Sequence, residues 1–167
     1  MKTAIYPFSG DPITFGHIDV ISRAANVFEH VIAAIGINPL KEYTFTIDER
    51  MSMAKQALAH ILNVEVTCYT GLLAEFAAEH QTNIIVRGIR NSEDFDYEWA
   101  INRINESIDS RLETFWMPCR TEKAHISSSA VKELWKQHGD ISGLVPESVV
   151  ELLSSLQIKK AIPSHSS

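Results

Sequence analysis

Hydrophobic positions along the chain change period repeatedly, from unbroken runs to helical stripes and back. "TAIYPF" (3–8) is a short run of β-formers, and "GHIDVISRAANVF" (16–28) carries Ile18, Ile21, Ala25 and Phe28 at helical spacing. "HVIAAIGI" (30–37) is almost continuously apolar, as a strand covered on both faces must be. "IDERMSMAKQALAHIL" (47–62) sets Ile47, Met51, Ala54, Leu58 and Ile61 on one helical face. Thr46 with Glu49 three residues later reads as a capping box that fixes the start of that helix. Strands are predicted at 64–69, 83–88 and 112–118, and helices at 72–80, 93–108, 128–138 and 147–157. Pro146 stands at the opening of the last helix, where its missing N–H costs nothing.

Strands that alternate with helices in this way predict a doubly wound α/β fold. The expectation is a five-stranded, Rossmann-like parallel sheet with helices on both faces and a C-terminal helical section. No internal repeat or linker divides the sequence. A single domain is expected over residues 1–160, with a disordered tail over 161–167. In such sheets ligands bind beyond the carboxyl ends of the strands, where the strand order reverses.

Composition narrows the partners. The 167 residues carry a formal net charge of −6, so no global basic field invites a nucleic-acid backbone. Any bound phosphate must be held by a local cluster of donors. The apolar start "MKTAIYPF" is too short for a signal segment or a membrane span. Cys68 and Cys119 lack CxxC spacing and suit free thiols in a reducing cytoplasm. A soluble cytoplasmic protein is expected, without nucleic-acid or membrane partners.

The densest signal follows the first strand. "YPFSGDPITFGH" (6–17) holds two prolines and two glycines and delivers a histidine onto the next helix. Thr14 is placed to cap a helix beginning near Phe15, which puts His17 in the first turn. There the unpaired amides and the helix dipole favour an anion, and Ser9 adds a hydroxyl. The same spacing also fits a capped helix with a plain surface histidine. Lys41, Arg87 and Arg90 fall at the same edge of the predicted sheet, and four basic groups on one rim of an acidic protein suggest a polyphosphate site. Asp94 and Glu98 are candidates for contacts with those arginines. "HISSSAVKELWKQ" (125–137) opens a helix with three serines, a second anion-binding terminus. Lys132 and Lys136 on that helix read as exposed, with Lys136 able to reach toward a phosphate. No GxxxxGK[ST], no GxGxxG after the first strand, no GxSxG and no zinc-ligand spacing is present.

Together, "IYP-x-S-x-DPIT-x-GHID", "FT-x-x-ER", "VRGIRN-x-x-DFDYE" and "ISSSAVKE" resemble bacterial phosphopantetheine adenylyltransferases, of the nucleotidyltransferase superfamily marked by (H/T)xGH. That motif is Thr14-Phe15-Gly16-His17 here, and the resemblance runs in order from about residue 3 to 157. It implies transfer of AMP from ATP to 4′-phosphopantetheine with Mg2+, giving dephospho-coenzyme A and pyrophosphate. It also implies that His17 stabilises the transition state, with Lys41 and Arg90 assisting. By the same resemblance Ser9, Lys41, Leu73 and Arg87 would hold phosphopantetheine. ATP would meet Ser9, Gly10, His17, Gly88, Ile89, Arg90, Glu98, Lys123, Ala124, His125, Ile126, Ser127, Ser128 and Ser129. No metal ligand is expected from the protein's side chains. A homohexamer and feedback by coenzyme A are further expectations of the resemblance. The chain departs from the family pattern in three places. Phe8 and Gly10 have exchanged the usual glycine and aromatic around Ser9, Phe15 stands inside the TxGH motif, and Lys123-Ala124-His125 occupies a stretch where an aromatic often packs near the nucleotide. A related nucleotidyltransferase acting on nicotinamide mononucleotide or glycerol 3-phosphate is the alternative enzyme, and a non-catalytic nucleotide-binding module the alternative of another class.

Overall fold

The computed structural model describes residues 2–161. The elements alternate as β1 (Thr3–Phe8), α1 (Phe15–Ala25), β2 (His30–Ile37), α2 (Ile47–Leu58), β3 (Val64–Thr70), α3 (Leu73–Glu79), β4 (Ile84–Ile89), α4 (Ser92–Ile108) and β5 (Glu113–Pro118). A short 3₁₀ turn at Thr121–Lys123 leads into α5 (Ser128–Lys136) and α6 (Glu147–Ala161). Of the tail expected over 161–167, Ala161 closes α6 and the rest lies outside the described residues.

The five strands form one parallel sheet in the order β3-β2-β1-β4-β5. Alternate residues of the inner strands face opposite layers, as the strand period of two requires. Ala4, Tyr6 and Phe8 of β1 and Val31, Ala33 and Ile35 of β2 join the core under α1, α2, α5 and α6. Ile5, Ile32 and Ala34 point the other way, into a smaller core completed by Leu73, Phe76 and Ala77 of α3. Burial on both faces is why these strands read as unbroken apolar runs. The chain builds β1, β2 and β3 outward, then returns to lay β4 on the free side of β1. The order reverses between β1 and β4, so the crevice opens above Phe8 and Ile89.

Helix boundaries depart from the periodicity where side chains capture the chain. The first helix, predicted to Phe28, ends at Ala25. The Asn63 side-chain amide donates to the carbonyls of Ala25 and Phe28, at 2.8 and 3.2 Å, and draws them out of the helical ladder. The second, predicted to Leu62, ends at Leu58, and Leu62 is fully solvent-facing. The capping box at its start forms as expected: Glu49 N donates to Thr46 Oγ1 at 3.3 Å and Thr46 N to Glu49 Oε2 at 2.8 Å. α5 stops at Lys136 because His138 adopts φ +56° and Gly139 N donates back to Leu134 O at 2.8 Å. α6 runs four residues past its predicted end. Trp135 Nε1 donates to Leu153 O at 3.0 Å and pins α5 to α6.

Candidate active site

A cavity of about 970 Å³ lies at the reversal point, beyond the carboxyl ends of β1, β2 and β4. The loop Ser9–Thr14 forms its floor. Gly10 has φ +59°, and a Cβ there would stand 3.1 Å from Phe8 Cε2, so the ring at position 8 fills the space a side chain at position 10 would need. The Asp11–Pro12 bond is cis. Asp11 is 2% exposed, and its carboxylate accepts from Thr44 N at 3.1 Å, Phe45 N at 2.9 Å and Lys132 Nζ at 3.0 Å. One carboxylate thus ties the floor to the approach to α2 and to α5.

Thr14 begins α1 in extended backbone, and its N–H donates to His17 Nδ1 at 3.1 Å. Thr14 Oγ1 lies 3.0 Å from the same nitrogen. An Nδ1 that accepts from a backbone amide carries no proton, so in the neutral ring the proton sits on Nε2. Nε2 has no hydrogen-bond partner among the described residues. Burial first, and the Arg90 charge second, push the His17 pKa down to about 4. The Phe8 ring, 5.2 Å from the imidazole centroid, contributes to that burial. His17 therefore faces the cavity as a neutral N–H donor near pH 7.

Four cations share the wall, three of them held by carboxylates. Arg87 Nη1 donates to Pro7 O at 2.9 Å, and its Nε stands 2.9 Å from Glu98 Oε2. That contact is a charge pair without hydrogen-bond alignment, so the buried Glu98 Oε2 accepts no hydrogen bond. Burial raises the Glu98 pKa against the opposing pull of Arg87. Arg90 grips Asp94 through two bonds, Nε to Oδ2 at 2.7 Å and Nη2 to Oδ1 at 2.9 Å. That grip lowers the Asp94 pKa and raises that of Arg90. Lys132 is the third, through Asp11. It was expected on an exposed helix face; the Asp11 carboxylate, 121 residues away in sequence, pulls it into the wall. Lys41 is the fourth, and its ammonium donates to Ser9 Oγ at 3.0 Å. Lys136 stays outside the wall.

The three serines divide their work. Ser127 caps α5 by accepting from Ala130 N at 3.1 Å, Ser128 Oγ donates to Pro12 O at 2.8 Å, and Ser129 is exposed on the cavity wall. Of the predicted site residues, the wall contains Ser9, His17, Lys41, Leu73, Arg87, Gly88, Arg90, Glu98, Ile126, Ser127, Ser128 and Ser129. Gly10, Ile89, Lys123, Ala124 and His125 flank it without lining it, and Lys123 Nζ instead lies 5.0 Å from the centre of the Phe15 ring. Gly88 leaves room that any side chain would close, since a Cβ there would meet Val20 Cγ2 at 3.0 Å. Tyr6 and Asp11, which the first motif contains without a role, and Tyr43 and Cys119, which lie outside the motifs, also line the cavity. Burial raises the Tyr6 and Cys119 pKa values, so both stay protonated and neutral near pH 7. Both cysteines are free. Among the described residues, no cluster of three or more His, Cys, Asp or Glu could hold a metal, and no helix is long and apolar enough to cross a membrane.

A parallel sheet whose reversal point carries a helix-terminal histidine, paired cations and a serine-rich second helix start defines a nucleotidyltransferase class of site, and a family model described as cytidylyltransferase-like matches residues 9–134. A solved structure from Vibrio parahaemolyticus, provisionally named a nicotinate-nucleotide adenylyltransferase, shares the fold with TM-score 0.74 at 20% identity, over 97% of this chain and 98% of its own. Phosphopantetheine adenylyltransferase of Psychromonas ingrahamii is 41% identical over 92% of this chain and 95% of its own length. That of Clostridium beijerinckii is 44% identical over 93% and 98%. The chain belongs to the phosphopantetheine adenylyltransferase family.

Proposed function

We propose that this chain transfers the adenylyl group of ATP to 4′-phosphopantetheine, yielding dephospho-coenzyme A and pyrophosphate. An oxygen of the acceptor phosphate attacks the α-phosphorus in line. The new P–O bond forms as the bond from that phosphorus to the oxygen shared with the β-phosphate breaks, and pyrophosphate leaves with the electron pair. The nucleophile is already an anion, so the reaction needs no protein nucleophile or base. It needs positioning and donors aimed at charge that builds on the α-phosphate.

The observation that carries this reading is the His17 imidazole, fixed through Nδ1 by Thr14 and left with a free Nε2–H at the mouth of a cation-lined cavity. A neutral donor stabilises an oxyanion without adding a charge that would trap the product. Lys41, Ser9, Arg87 and Leu73 hold the acceptor in this reading; Arg90, Gly88, Glu98 and residues 126–129 face the nucleotide, with Ile89 and residues 123–125 flanking them. Magnesium would enter with ATP, whose phosphates would supply oxygen ligands to it.

The reading extends to a cytoplasmic homo-oligomer, hexameric by family resemblance, with coenzyme A as a feedback ligand. Exposed Phe95 and Trp99, one turn apart on α4 and outside the cavity, support burial against another copy. The test is pyrophosphate release from ATP and Mg2+ with 4′-phosphopantetheine, and with nicotinamide mononucleotide as the control acceptor. Release that depends on phosphopantetheine is expected. Faster release with the mononucleotide reassigns the acceptor, and none with either removes the enzymatic reading.

A further inference from the structure

The reaction uses Lys41 but leaves two of its neighbours without a task. Arg50, near the start of α2, is 2% exposed and has no carboxylate partner among the described residues. A buried cation of this kind is costly unless other groups satisfy it. Its Nη1 donates to Ser9 O at 2.8 Å and to Gly36 O at 3.3 Å. Its guanidinium carbon lies 3.9 Å from the centre of the Tyr43 ring, stacking distance for a planar cation on an aromatic face.

Tyr43 is fixed at its other end too. Its hydroxyl donates to Gly36 O at 3.3 Å and accepts from Asn38 N at 3.1 Å, which clips the loop after β2 to the end of that strand. The same ring meets Lys41 Nζ at 5.5 Å, while that ammonium donates to Ser9 Oγ. A lysine two residues away on an irregular loop would otherwise lose much rotamer freedom when it binds a ligand. Leu40, beside it, is 94% exposed, so packing does little to hold this loop tip.

We infer that Tyr43 is a positioning residue: stacked on buried Arg50, it holds Lys41 over Ser9, and it thereby sets affinity for the acceptor's phosphate rather than for the nucleotide. The inference rests on the adenylyl-transfer reading of the cavity.

Tyr43→Leu removes the ring at similar volume, and Tyr43→Phe keeps the ring while removing the hydroxyl. In steady-state assays Tyr43→Leu should raise KM for 4′-phosphopantetheine about 10-fold and KM for ATP less than about 2-fold, with kcat the smaller change. Tyr43→Phe should restore the acceptor KM to within about 3-fold of wild type. In a Lys41→Met background the Leu substitution should add nothing further, because the two act as one unit. Equal losses for both substrates, or a Phe variant as weak as the Leu variant, overturn the inference. A second readout needs no substrate. With lysines 13C-methylated and Lys41 assigned by its loss in Lys41→Arg, the Lys41 methyl resonance should be ring-shifted in wild type and Tyr43→Phe and unshifted in Tyr43→Leu. An identical resonance in all three defeats the inference even if the enzyme uses phosphopantetheine. Conversely, a wild type inactive toward phosphopantetheine that keeps the ring-shift pattern defeats the proposed function alone.

Discussion

His17 offers a prediction in which structure, stability and catalysis depend on one proton. In the folded chain its pKa is about 4, against an ordinary 6.5. That separation corresponds to about 3 kcal/mol of preference for the neutral ring, at 1.36 kcal/mol per pH unit. The folded value is depressed, so the stability it contributes is present above 6.5. It is lost as the pH falls from 6.5 toward 4, where the unfolded chain takes up a proton that the native site refuses. Between pH 7.5 and 4.5 wild type should lose about 2.5 kcal/mol more unfolding free energy than His17→Asn, read by urea denaturation at matched m values. Catalysis should follow the same proton. With the ring neutral down to about pH 5, kcat should show no limb near 6.5 assignable to it, while His17→Ala should lower kcat by about 10²–10³. Heteronuclear NMR of the imidazole reads tautomer and titration directly. A His17 midpoint at or above 6, or a proton on Nδ1, refutes the argument from the Thr14 hydrogen bond and the burial.

Three further outcomes are expected. Asp11→Asn leaves Lys132 unpaired and weakens two amide contacts, at a cost of about 3 kcal/mol in urea unfolding; a loss under about 1 kcal/mol means the knot does not hold the loop. Gly10→Ala places a Cβ at φ +59° and 3.1 Å from Phe8, so it should destabilise by about 1–2 kcal/mol, and a Tm at or above wild type contradicts that packing. Lys41→Ala should raise KM for phosphopantetheine at least about 10-fold with little change for ATP, since a charge-assisted contact to phosphate is lost; parallel rises place the lysine on the nucleotide instead.

The sequence exposed what is local and hid what is assembled. The apolar run in β2 announced a strand buried on both faces, because periodicity is a property of neighbours in the chain. The Thr46–Glu49 box fixed the start of α2 to the residue for the same reason. Helix ends were less legible: Asn63, far along the chain, decides where α1 stops. The reading of Lys132 as solvated failed on the same ground, for nothing around residue 132 betrays a carboxylate at residue 11. Arg50 gave no signal beyond its place in a motif, since a buried arginine and an exposed one look alike until Ser9, Gly36 and Tyr43 are assembled around it. The exchange of Phe8 and Gly10 was visible as a departure, and its compensation was not: the two positions share one volume, which only the fold can reveal.

The way the cations are held bears on how the site meets a phosphate. Arg87 lies against Glu98, Arg90 grips Asp94 and Lys132 grips Asp11, so three of the four cations on the wall arrive already neutralised. Such pairs keep long side chains ordered before any ligand binds, and they lower the cost of assembling like charges in one cavity. Lys41 differs: its partner is the neutral Ser9 hydroxyl, and the nearby Arg50 charge is met only by carbonyls and a ring. The net positive potential of the wall is therefore concentrated on the Lys41–Ser9–Arg50 side. A dianionic phosphate gains most there, because it need not compete with a resident carboxylate. The opposite side, where Arg90 is tied to Asp94, favours a ligand that spreads its charge and brings its own counter-ion, as a magnesium-bound triphosphate does. In the proposed reaction this asymmetry favours the acceptor phosphate at the Lys41 end and the nucleotide at the Arg90 end, with His17 as a donor that adds no charge to either.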